Sequence, residues 1–249
     1  MTLPEAYRAQ AQYIQASPKF QLDESKGMHL PVDFPGYSVI TPPWEEDAAN
    51  QSVYKTLQQF QKQIIDQLSS ELLVPLPPES FHLTLADLIW DSAYYHASAK
   101  ADFQEQLCDR VQQSFDQCYP LVHTGQPSYW QVLGLTIMPR ALGVVLLPKD
   151  ELSYERVLHL RRSLYQNSGL IALGIEQQYH LTAHITLGYF GAIATVAEKE
   201  KLSQEFNELN LQWLSQENPI IFEVHCAELR KFDNMIGYYR QPDWPTLAF

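Results

Sequence analysis

The sequence predicts an α+β fold of two related lobes. Three observations carry that prediction. The order strand, helix, strand, helix occurs in both halves of the chain. The corresponding strand of each half holds a His-aliphatic-Thr-Leu run, His82-Leu83-Thr84-Leu85 and His184-Ile185-Thr186-Leu187. No low-complexity tract or long linker separates the halves, so both lobes are expected to share one core. With 249 residues, 45% of them hydrophobic and 12% aromatic, the chain has ample material for that core.

Taken in order, residues 4–16 read as a short helix and the stretch that follows, broken by Gly27, Pro31, Pro35 and Gly36, as an irregular lead-in. Residues 1–35 thus form an N-terminal extension with no nameable chemistry. Residues 36–249 form a single domain, its lobes covering about 36–125 and 126–249 with room for strand exchange. The β-branched and aromatic residues of 37–41 predict a strand ended by Pro42-Pro43. Val53, Leu57, Phe60, Ile64 and Leu68 recur at helical spacing within 49–69, and Phe103, Leu107, Val111 and Phe115 do so within 98–118. Between those helices, the turn LPPES leads into a strand at 81–88. The second half predicts strands at 129–138 and 142–147 turning at Pro139-Arg140, then a helix over 150–168 ending at Gly169. A strand at 179–189, a helix at 195–215 and strands at 219–229 and 235–240 complete it.

Charge narrows the ligands. The 29 acidic residues against 17 Lys and Arg leave a formal charge of -12, which argues against a surface that coats long nucleic acid. A compact phosphate is still compatible, because a few local donors suffice to hold it. The three cysteines, Cys108, Cys118 and Cys226, have no C-x-x-C spacing, so neither a disulfide framework nor a zinc knuckle is encoded and a reducing compartment fits. The opening residues lack a basic stretch followed by an apolar core, and no apolar run approaches the roughly 20 residues that cross a bilayer. The expectation is a cytoplasmic protein without a membrane partner; the oligomeric state is open.

On a strand, side chains at i and i+2 share a face about 7 Å apart. Ser80, His82 and Thr84 then form a polar face while Phe81, Leu83 and Leu85 enter a core. In the later strand His180, Thr182, His184, Thr186 and Gly188 occupy one side, and Leu181, Ala183, Ile185, Leu187 and Tyr189 the other. A lone triplet such as His96-Ala97-Ser98 carries no weight, since His and Thr on a strand commonly do no more than hydrogen-bond across a solvated face. Two matched copies on corresponding strands point to chemistry instead.

With HITLGY, LPPESFHLTLADL and FPGYSVITPP in place, the chain resembles the 2H phosphoesterase superfamily, and within it an uncharacterised branch related to LigT-like cyclic phosphodiesterases. The likeness runs over about 36–240 and implies a bilobal, pseudo-two-fold α+β fold with two antiparallel sheets lining a central cleft and helices outside. It implies a metal-independent phosphoesterase, needing no cofactor, that opens a 2′,3′-cyclic phosphate on a nucleotide or short RNA end. It also implies His82 and His184 as catalytic residues, with Thr84 and Thr186 as phosphate-binding ones. The residue types suit that chemistry independently. A neutral imidazole takes a proton from attacking water, a protonated one gives a proton to the departing oxygen, and threonine hydroxyls donate to non-bridging oxygens.

His180-Leu181-Thr182 is a third copy, and its His-x3-His spacing with His184 raises a zinc hydrolase as an alternative. On a strand those four residues span ~13 Å, too far for one ion, and His180 is then expected at the rim of the cleft. Arg140, Arg230 and Arg240 can add charge near a phosphate or be solvated surface arginines. Tyr37, Tyr129, Trp130, Tyr189 and Tyr239 can stack on a base or pack in the core. No Walker loop, G-x-G-x-x-G or G-x-S-x-G occurs. A non-catalytic module gripping a phosphorylated ligand is the rival reading, and an acidic scaffold without a pocket the third. The sequence leaves open the base, the reaction direction, the 2′ or 3′ product and the physiological substrate.

Overall fold

The computed structural model describes residues 10–67, 72–191, 195–214 and 219–249. Residues 4–9 of the helix expected over 4–16 lie outside them, and of 10–16 only Gln10 and Ala11 are helical. The lead-in that follows is not irregular: β1 (Phe20–Asp23) and β2 (Met28–Pro31) form an antiparallel hairpin with Phe20 opposite Pro31. Its turn uses Gly27 at φ 62°, a left-handed conformation open to glycine, and the Asp23 carboxylate accepts the Ser25 amide. Four-residue strands are too short to show alternation, and Pro31 sits at a strand end where it costs no ladder bond.

The remaining elements are β3 (Gly36–Ile40), α1 (Gln51–Gln67), β4 (Leu73–Pro75), β5 (Thr84–Trp90), α2 (Asp91–Ser98), α3 (Phe103–Val122), β6 (Ser128–Ile137) and β7 (Ala141–Pro148). They are followed by α4 (Glu151–Tyr165), α5 (Ser168–Ala172), β8 (His184–Phe190), α6 (Val196–Leu214), β9 (Ile221–Val224), β10 (Cys226–Phe232) and β11 (Thr246–Ala248). The helical stripes read from the sequence are buried: Val53, Leu57, Phe60 and Ile64 on α1, Phe103, Leu107, Val111 and Phe115 on α3. Leu68 lies outside the described residues. α4 starts where Asp150 accepts the Ser153 amide at 2.7 Å. It stops short of Gly169, because Asn167 caps a separate turn of helix through the Gly169 amide.

Two larger antiparallel sheets with helices outside give the α+β architecture that the sequence predicts. One has the order β11-β10-β3-β5 and the other β4-β8-β7-β6-β9. Each borrows from the other half of the chain: β10 and β11 complete the sheet that holds β3 and β5, while β4 edges the sheet that holds β8. The expected strand over 235–240 is absent there; Tyr239 makes one bridge to Lys231, and the last strand is β11. Helix α4 packs against β5, β6 and β7 and so spans both sheets. It also covers the open edge of β5, where Arg161 donates to the Leu85 carbonyl at 2.7 Å and the Tyr165 hydroxyl to the Asp87 carbonyl at 2.8 Å. On the other side, α1 and α6 meet through stacked Phe60 and Trp213 rings 3.8 Å apart.

Candidate active site

The motif strands carry bulges that the sequence pattern does not reveal. In β5, Tyr37 pairs with Ile89 but Ser38 with Asp87, and Val39 pairs with Ala86 but Ile40 with Thr84, so Leu88 and Leu85 are extra residues. In β8, Leu142 pairs with Gly188 and Gly143 with Thr186, which leaves Leu187 extra. Each bulge resets the alternation. The side chains of His82, Thr84, Asp87 and Trp90 in one lobe, and of His184, Thr186 and Tyr189 in the other, line a single cleft of about 550 Å³. Tyr189, expected on the core side, therefore faces the cleft. Gly188 makes the bulge possible, since a Cβ there would come 2.8 Å from the Val74 carbonyl oxygen.

His82 lies just before β5, not inside it as expected. A 3-10 turn at Pro78–Ser80 delivers the chain, and Leu83 then holds Thr41 through Thr41 N–H to Leu83 O at 3.0 Å and Leu83 N–H to Thr41 Oγ1 at 2.9 Å. The strand expected from 179 likewise begins only at His184. The two histidines are held alike. His82 Nδ1 is 2.7 Å from the Ser80 carbonyl, and His184 Nδ1 is 2.7 Å from the Thr182 carbonyl. A carbonyl only accepts, so Nδ1 carries the proton in both rings and Nε2 is left to act on a ligand.

Their surroundings differ. The His82 ring meets Tyr238 edge-on at 4.2 Å, and burial lowers its pKa to about 4, with the charges of His184 and Arg230 acting in the same direction against the Ser80 hydrogen bond. His184 is set differently, its bond to the Thr182 carbonyl lying at the solvent side. No hydrogen bond among the described residues engages the Thr84 or Thr186 hydroxyl, so both are free to donate into the cleft.

Sequence reasoning missed several lining groups. Asp87 stands beside Ser38, whose hydroxyl donates to it at 3.2 Å, and burial raises its pKa against the pull of Lys19. Lys19 comes from the supposedly inert extension. Trp90 and Tyr179 stack at 6.1 Å on one wall, and the Tyr189 hydroxyl donates to Met235 Sδ at 3.3 Å. The repeated motif was a signal for the histidines and threonines; the bulges and the hairpin left none.

Of the weaker candidates, Arg140 lines the cleft. Arg230 is buried and paired with Glu46 and Glu228, and Arg240 donates to the Trp244 carbonyl. Tyr37 and Trp130 are core residues, Tyr129 lies under the Lys149 ammonium, and Tyr239 is exposed and bonded to Asp233. His180 is exposed and lines a separate hollow of about 330 Å³ with Arg161, Arg162 and Tyr165, away from the cleft rim expected for it. Among the described residues, no group of three or more His, Cys, Asp or Glu is placed to hold a metal ion. No described helix is long and apolar enough to cross a membrane.

A conserved protein of unknown function from Agrobacterium tumefaciens str. C58 superposes with a TM-score of 0.62 at 14% identity, over 97% of this chain and 98% of that one. The two share a fold. A Thermus thermophilus protein aligns with a TM-score of 0.45 at 15% identity, over 86% of this chain and 97% of its own. LigT of E. coli aligns with a TM-score of 0.44 at 14% identity, over 87% of this chain and 98% of its own. No family model and no curated protein matches the sequence.

Proposed function

We propose that the protein is a metal-independent phosphoesterase that hydrolyses a cyclic phosphodiester, the 2′,3′-cyclic phosphate of a nucleotide or short RNA end. One observation carries the reading: matched His and Thr pairs from two sheets line one cleft, and both imidazoles are held by the same Nδ1–carbonyl bond. That geometry suits in-line displacement, with one Nε2 serving the entering oxygen and the other the departing one.

His82 is the base in this reading. Burial keeps its ring neutral above about pH 4, so Nε2 is available to take a proton from water as the oxygen attacks phosphorus. His184 takes the complementary part, its Nε2 giving a proton to the ring oxygen whose P–O bond breaks. Thr84 and Thr186 donate to non-bridging oxygens, and Trp90 with Tyr179 offers an aromatic wall for a base. The resemblance of the two motifs to 2H phosphoesterases supports the same chemistry.

The test is turnover of cyclic and linear phosphodiesters by chelator-treated protein. Release of a monoester from a 2′,3′-cyclic nucleotide is the expected result. Binding without turnover would favour the non-catalytic module, and activity that EDTA abolishes and zinc restores would favour a metal mechanism.

A further inference from the structure

The hairpin segment is fastened to both sheets. The Ser17 amide donates to the Phe190 carbonyl at the end of β8 at 2.7 Å, and the Phe34 amide to the Asp233 carbonyl just past β10 at 2.8 Å. Between those anchors the Lys19 carbonyl accepts the Val32 amide at 3.0 Å, and the Lys19 amide donates to Ser17 Oγ at 3.3 Å. The segment therefore straps the cleft, and Ser17, Lys19 and Phe34 line it.

Lys19 Nζ lies over two aromatic faces, 4.6 Å from the Phe34 ring centre and 5.1 Å from that of Tyr189. Among the described residues it forms no ion pair. Aromatic faces hold the ammonium by its charge while supplying no carboxylate to neutralise it. The lining lysines and arginines are Lys19 and Arg140, set against Asp87 and Asp91. A phosphodiester brings one negative charge and gains more as water adds, and a neutral His82 contributes nothing toward balancing it.

We infer that Lys19, carried in by the N-terminal strap, is a substrate-binding residue of the cleft that neutralises charge on the phosphoryl oxygens as it builds. The assignment rests on the phosphoesterase reading and adds to it a residue outside both His-x-Thr motifs. Asp87 from β5, Arg140 from the β6–β7 turn and the Tyr189 hydroxyl from β8 are the charged or titratable groups around it. Burial and the Arg140 charge lower its pKa to about 8, while Asp87 raises it. The ammonium form is thus lost within a workable pH range.

The experiment compares Lys19→Met, which keeps the stem, and Lys19→Arg, which keeps the charge, with the full-length protein, after thermal unfolding shows that each folds. For 2′,3′-cyclic AMP, Lys19→Met should lower kcat/KM by about 10²-fold, the scale of one lost donor to a developing oxyanion. Lys19→Arg should recover most of that and remove the fall in activity above pH 8. Turnover by wild type with Lys19→Met within threefold and an unchanged pH profile would overturn the assignment. If wild type turns over no cyclic phosphodiester, the phosphoesterase reading fails separately, and 3′-AMP titration decides Lys19: tenfold weaker binding by Lys19→Met supports it, and equal binding overturns it.

Discussion

At the residue scale, His82 ties the chemistry of the cleft to stability. Its folded pKa of about 4 lies below the ordinary value of 6.5. Between those values the unfolded chain binds a proton that the folded protein refuses, so stability falls as pH falls through that window and is unaffected above it. The loss should total roughly 3 kcal/mol by pH 4. Asp87, whose pKa is raised by burial, works in the opposite sense, which is why the comparison must be between wild type and His82→Asn. Urea unfolding of both from pH 7 to 4 should show a shallower decline in the variant; parallel curves would mean that the imidazole is solvated. In catalysis, His82→Ala and His184→Ala should each lower kcat by roughly 10² to 10⁴ with little change in 3′-AMP binding. His180→Ala should leave turnover near wild type, since that side chain opens on the other hollow.

At the element scale, the bulge in β8 aims the site. Its extra residue, Leu187, offers a carbonyl that accepts the Gln61 side-chain amide at 2.8 Å and the Leu76 amide at 3.0 Å. Gln61, buried on α1, also donates to the Leu76 carbonyl at 2.7 Å. Gln61→Leu leaves the Leu76 carbonyl without its donor while Leu187 keeps the Leu76 amide, so it should cost about 1 to 3 kcal/mol and should lower kcat as Tyr189 and Thr186 lose their relative aim. Denaturant titration beside kinetics checks this, and a variant as stable and active as wild type would remove Gln61 from the account. The same bulges explain what was legible. His82, Thr84, His184 and Thr186 could be read because period-two alternation holds as far as each threonine. Asp87 and Tyr189 could not, because one extra residue reverses the facing of everything after it. Lys19 reaches the cleft through tertiary hydrogen bonds from a hairpin whose strands are too short to announce themselves.

At the scale of the whole molecule, strand exchange makes the two sheets one cooperative unit. Without β10 and β11, β3 would lose its neighbour across the Glu228–Phe232 register, and without β4, β8 would become an edge. Helix α4 adds a second bond between the lobes, because Arg161 donates at once to Leu85 of β5 and, at 2.9 Å, to the Tyr179 carbonyl on the approach to β8. A chain of this length is often free to unfold in stages. Here each half lacks strands that the other supplies, so intermediates with one intact sheet are disfavoured. Urea unfolding followed by tryptophan fluorescence and by far-UV circular dichroism should give coincident single transitions. Arg161→Met, which takes the donor from the buried Leu85 carbonyl and removes the link to Tyr179, should lower the midpoint for both probes together. Two separated transitions, or a fragment spanning 36–125 that folds alone, would show that the lobes are independent and that the cleft is assembled by docking of finished parts.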